Sequence, residues 1–217
     1  MRIKNLELWA AFLVIGIVTV FYVQTVASSD IPPASGFFGH TLGVIGFILM
    51  LMTEVLYSLR KRYQFARWGK LEHWLSFHIF TGITGPYLVL LHTSWKFNGL
   101  AGVLTLLTII IVLSGFIGRY FYTSIPRSME GGILEAEAVS HQIQQIEHNI
   151  TQADNQHPLT ENEIKKLNKE QNHLKNLDRS RRLLAIWHTF HIPVGVALFT
   201  LALLHIAATL YFSTLLH

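Results

Sequence analysis

Residues 74–92 of the chain read WLSFHIFTGITGPYLVLLH, and residues 187–205 read WHTFHIPVGVALFTLALLH. The two segments align without a gap at an offset of 113 residues. Trp74, Phe77, His78, Ile79, Gly82, Leu90, Leu91 and His92 match Trp187, Phe190, His191, Ile192, Gly195, Leu203, Leu204 and His205, and Ser76 meets Thr189. The repeated phrase is Trp-x-x-Phe-His-Ile-x-x-Gly-x7-Leu-Leu-His, and its constant polar content is two histidines 14 residues apart. Fourteen residues are four turns at about 3.5 residues per turn, the period of helices in left-handed packing, so both histidines face one way. At about 1.5 Å per residue they stand about 21 Å apart. That separation nearly fills the hydrocarbon core of a bilayer, about 30 Å thick. The reading is an apolar helix, used twice.

The rest of the chain agrees. Of 217 residues, 51% are hydrophobic and only 14% are Asp, Glu, Lys or Arg, against about 25% charged in ordinary globular chains. This composition argues against a water-soluble enzyme and against a disordered chain. No cysteine is present, which excludes disulfides, thiolate metal sites, cysteine-held iron–sulfur clusters and thioether-linked haem. Five stretches are long and apolar enough to span: 8–27, 37–59, 72–95, 99–123 and 183–213. The first, behind Arg2 and Lys4, faintly resembles a signal peptide, but its apolar run is long for one and it is taken as a helix. The expected fold is all-α: an integral membrane bundle of five transmembrane helices, with helices 1–4 in residues 1–127, a cytoplasmic helical hairpin in 128–182, and helix 5 with a short C-terminus in 183–217.

An odd number of spans puts the termini on opposite sides. All Lys and Arg residues except Lys96 then fall on the side holding the N-terminus, the 60–71 loop and the 124–182 segment. The positive-inside rule makes that side cytoplasmic, and the expected location is a bacterial-type inner or plasma membrane. The net charge of +4 follows from topology, and no nucleic-acid partner is expected. In the polar segment, Ala136, Val139, Ile143, Ile146 and Ile150 step by three and four residues. Asp154–Pro158 breaks the pattern, and Thr160 with Glu163 is a capping box for a second helix, whose stripe is Ile164, Leu167, Leu174 and Leu177. An antiparallel hairpin is expected, either a solvated connector or, over 130–178, a docking arm for a partner. Leu177–Leu184 contains no Gly or Pro, so the second helix is free to run on into the fifth span.

Spans three and five run in the same direction, so His78 and His191 share a depth toward the cytoplasm, and His92 and His205 share one toward the far side. Two facing imidazoles hold one haem iron axially. Four imidazoles without partners would each cost a few kcal/mol in hydrocarbon, which packing alone does not explain. Zinc competes poorly, since two histidines at each depth make an incomplete set and no Asp, Glu or Cys lies beside them in the spans. The expected cofactors are two haem b groups, one on His78 and His191 and one on His92 and His205. Gly82 and Gly195, and two turns along Gly85, would let a macrocycle edge approach the backbone.

This pattern resembles the membrane di-haem b-type cytochromes: the respiratory cytochrome b and the ferric-reductase-like transmembrane domain. The resemblance covers about 72–123 and 183–213, and the ligand order is closer to the ferric-reductase-like arrangement. It implies single-electron transfer across the bilayer. The chain departs from ferric reductases in having no Gly-rich phosphate loop and no soluble α/β region for flavin or nicotinamide. The donor is then a separate redox protein or a quinol.

Around the four ligands, Arg119 and Lys96 are candidate propionate partners as well as interfacial anchors. His40 and Glu54 are candidate proton-transfer or quinone residues. His73 and His188 read as interfacial. Trp9, Tyr57, Trp68, Trp95, Tyr120 and Tyr122 read as belt aromatics, and Trp74 and Trp187 as packing at the haem edge. No catalytic residue is expected in a subunit of a larger redox complex. Two other readings stay open: a self-contained ferric-reductase- or quinol-type oxidoreductase, and a metal or proton transporter that uses the histidines as a path.

Overall fold

The computed structural model describes residues 5–62, 71–124, 141, 143–146, 148 and 161–215. Among them the structure is helical, with no strand: α1 (Leu6–Ser28), α2 (Phe37–Arg62), α3 (Leu71–His92), α4 (Gly99–Ser124) and α5 (Glu161–Leu215). Each helix contains a stretch long and apolar enough to cross a membrane: Leu6–Ser28, Phe37–Leu56, Glu72–His92, Gly99–Phe121 and Gln171–Phe212. Trp9, Phe12, Phe21, Leu106, Leu113 and Phe190 are each more than half exposed. Apolar surface on this scale suits a multi-pass protein in contact with lipid and not a surface in water.

Two boundaries differ from the sequence reading. The third helix stops at His92, not residue 95, because Ser94 (φ 50°) and Trp95 (φ 62°) adopt left-handed backbone. Ser94 is buried there, and its Oγ donates to the Pro32 carbonyl at 2.6 Å, tying the α3–α4 loop to the α1–α2 loop. The fifth span is the last part of one 55-residue helix that begins at Glu161. This is the run-on that the Gly- and Pro-free Leu177–Leu184 stretch permits.

Packing groups the chain into two compact units, Met1–Leu113 with Pro193–His217, and Ser114–Ile192. In the first, α3 packs against both α2 and α1. Tyr22, Leu42, Leu88 and Leu91 form its buried cluster, with Val18, Val26, Phe38, Leu49 and Tyr87 packed around them. Thr19 Oγ1 and the Tyr87 hydroxyl share a hydrogen bond between α1 and α3. Thr53 Oγ1 donates to Thr81 Oγ1 at 2.6 Å between α2 and α3, and Thr81 passes its own proton to the Phe77 carbonyl. The backbones of α2 and α3 approach closely at Gly46 and Gly85. A Cβ on Gly46 would lie 2.8 Å from the Gly85 carbonyl oxygen, and one on Gly85 would lie 2.9 Å from the Gly46 carbonyl oxygen. Small residues at a helix crossing give this approach, which leaves van der Waals contact between backbones as the adhesive in lipid. In the second unit, Leu174 and Leu177 of α5 are buried, with Ile143 and Ile146 packed on them. Ala136, Val139, Ile150, the 154–158 break and the Thr160 cap lie outside the described residues, as do Trp68 and Arg127.

Overfilling the Gly46–Gly85 contact forces the helices apart, at a typical cost of about 1–3 kcal/mol. Gly46→Leu is therefore expected to lower unfolding stability in detergent by that amount. Gly16→Ala, whose Cβ meets nothing within 4 Å, is expected to leave it unchanged within about 0.5 kcal/mol.

Candidate functional site

The two histidines of α3 are held by carbonyls of α2. His78 Nδ1 lies 3.1 Å from the Thr53 carbonyl oxygen, and His92 Nδ1 lies 2.9 Å from the Gly39 carbonyl oxygen. A carbonyl only accepts, so in each pair the imidazole donates from the tautomer with its proton on Nδ1. That tautomer is the one an axial metal ligand needs, and the hydrogen bond from its other nitrogen fixes the ring and raises its basicity. Both helical carbonyls have a second lone pair for this use.

In the same unit His205 is half-buried on α5. His40 approaches His92 edge-on, with ring centroids 6.5 Å apart. His40 itself is exposed. Beside them the α1–α2 loop frames a cleft of about 440 Å³, lined by Thr25, Asp30, Pro33, Phe37, Phe38 and Gly39. Lys96 is exposed in the following loop.

His191 belongs to the second unit and is set by α4. Its Nδ1 shares a 2.6 Å hydrogen bond with Ser114 Oγ. The Trp187 ring lies over it, with centroids 4.5 Å apart and planes tilted by 32°. Trp187 Nε1 donates to the Ser114 carbonyl at 2.7 Å, and its ring occupies the space a Gly118 side chain would need. Ser114 thus holds the histidine with its hydroxyl and the indole with its carbonyl. His188 is half-buried, gives its Nδ1 proton to the Leu184 carbonyl at 3.0 Å and touches Trp187, while His73 is exposed. Arg119 is half-buried near the end of α4.

The glycines divide into two kinds. Gly85 is required by the α2 backbone, so helix packing accounts for it. Gly82 and Gly195 are not required in this way. A Cβ on Gly82 would meet only Thr53 Cγ2, at 3.4 Å. One on Gly195 would meet Glu54 Oε2 at 3.7 Å and Ile111 Cδ1 at 3.9 Å. These are ordinary contact distances, so the surrounding protein would admit a Cβ at the two repeated positions. Glu54 is half-buried in α2, one residue beyond the carbonyl that holds His78.

Sequence reasoning named the four histidines but missed Gly39, Gly43, Thr53 and Ser114. The signal for α2 was the run Gly36, Gly39, Gly43, Gly46, a stripe spaced by three and four residues. No group of three or more His, Cys, Asp or Glu side chains suited to a metal ion occurs among the described residues. Comparison with protein-family models, curated proteins and solved structures finds no match.

Trp187→Phe keeps the ring over His191 but removes the hydrogen bond to Ser114. It is expected to lower stability by about 1 kcal/mol in detergent unfolding, leaving the Ser114 carbonyl without this donor. Trp187→Ala, which also empties the space over Gly118, is expected to cost about 3–5 kcal/mol.

Proposed function

We propose that the chain is a di-haem b-type cytochrome that carries single electrons across a membrane, as a subunit of a larger redox complex or in exchange with a quinone. The observation that carries this reading is the contact of His78 Nδ1 with the Thr53 carbonyl and of His92 Nδ1 with the Gly39 carbonyl, which turns the same ring nitrogen of both histidines toward α2. His205 supplies the second ligand of the pair with His92, on the strength of the sequence repeat. The pairing of His78 with His191 rests on the sequence repeat. Gly82 and Gly195, where the surrounding protein does not demand glycine, fit the close approach of a planar group's edge. Haem, when bound, supplies one-electron chemistry. The chain's part is to present four imidazoles, keep the Nδ1 protons of His78 and His92 engaged and exclude water with apolar helices. Two nitrogens at each depth suit an iron already held in a macrocycle and fall short of a structural zinc set.

The charge asymmetry of the loops supports a cytoplasmic 128–182 segment, and the packing of Ile143 and Ile146 on Leu174 and Leu177 supports its folding back as a hairpin. The hairpin is then the docking arm for a cytoplasmic redox protein. Arg119 and Lys96 are the cations at the two ends for propionates, and His40 and Glu54 are the titratable groups for protons or quinone.

A dithionite-reduced minus oxidised spectrum with a pyridine haemochrome assay decides the matter. About two b haems per chain are expected, and His78→Ala and His205→Ala should each lose mainly one. A folded preparation from cells with ample haem that contains none would return the histidines to a metal or proton path. Turnover of a quinol or ferric chelate by the purified chain alone would replace the subunit reading with a self-contained oxidoreductase.

A further inference from the structure

The contacts that α2 makes with α3 follow one register. On α2, Gly39, Gly46 and Thr53 are spaced by seven residues; on α3, His92, Gly85 and His78 are spaced by seven in the opposite direction. Each residue of the first set meets its counterpart in the second. Gly39 accepts from His92, Gly46 touches Gly85 backbone to backbone, and Thr53 accepts from His78. Seven residues are two turns in left-handed packing, so all three contacts lie along one seam. The glycine crossing is the centre of the seam, and a histidine clamp lies one heptad to either side. Gly43 completes the outer clamp. A Cβ there would lie 2.8 Å from His92 Cγ and 2.9 Å from its Cδ2 and Nδ1, so the ring lies flat against the α2 backbone beside the carbonyl that receives its proton.

We infer that α2, which supplies no ligand, is the positioning helix of both redox centres: its backbone, through Gly39, Gly43, Gly46 and Thr53, sets the ring planes and the basicity of His92 and His78. This inference rests on the function proposed above and adds residues that neither the repeat nor any ligand motif picks out. A donor bond from Nδ1 pushes electron density toward Nε2 and so favours ferric iron. Loosening the clamp therefore raises the midpoint potential of the centre concerned and turns its imidazole plane. The single Gly46–Gly85 crossing makes the two clamps mechanically dependent on one another, whereas Gly43 serves His92 alone.

The test compares Gly43→Ala, Gly46→Ala and Gly16→Ala in the purified full chain, by potentiometric titration and by EPR of the ferric protein. Gly43→Ala should retain two haems per chain, shift one low-spin EPR signal and raise one potential, with the second centre unmoved. Gly46→Ala should move both centres, and Gly16→Ala neither. A Gly43→Ala protein with two haems and unmoved signals would overturn the inference, as would equal shifts of both centres. If Gly43→Ala fails to fold, proton–nitrogen NMR of the reduced wild type still decides. The Nδ1 protons of His78 and His92 should lie downfield and exchange slowly. That of His205, which has no hydrogen-bond partner among the described residues, should exchange faster. Equal exchange at His92 and His205 would overturn the clamp. Wild-type protein without haem would instead overturn the function proposed above, and with it the assignment to redox centres.

Discussion

An imidazole buried among apolar helices has to give its N–H to an acceptor, because hydrocarbon offers none. In α3 the acceptors are the carbonyls of Thr53 and Gly39. Those oxygens already belong to a helix, and a second bond to each is possible only if α2 comes close. The distance between α2 and α3 is thus set by the histidines at the ends of the seam and by the glycines at its middle. The α1 helix can then add its side chains to the same core through Tyr22 and the Thr19–Tyr87 bond.

The glycines separate structure from function along this seam. Gly46 and Gly85 are glycines because another backbone stands where a Cβ would be, and Gly43 because an imidazole stands there. Gly82 and Gly195 have no such neighbour, although they are the two that the helix repeat keeps. Packing within the protein therefore does not account for glycine at these two positions. His191 finds its hydrogen-bond partner differently. Ser114 and Trp187 surround it, with Gly118 giving the indole its room. The repeat kept Trp187 and the histidine, but the partner on α4 has no equivalent on α2, where a backbone carbonyl does the work.

Long apolar runs made the five helices legible. Their period and length need no knowledge of neighbours, and the absence of Gly and Pro before Leu184 already allowed α5 to be continuous. The end of α3 was misjudged by three residues. Hydropathy does not see the left-handed backbone at Ser94 and Trp95, which depends on the bond to Pro32 across two loops.

The sequence by itself determined the all-helical architecture, the five apolar stretches and the repeated pair of histidines on each of two helices. Each of these follows from local periodicity and from the cost of polar groups in an apolar medium. Only the tertiary structure decided which carbonyl receives each Nδ1 proton, which glycines are contacts and which leave space, and that α2 meets α3 on a seven-residue register. A glycine stripe or a backbone carbonyl has no side chain to announce its partner. Its role exists only once a second helix lies against it, and the distance of that approach is a property of the pair.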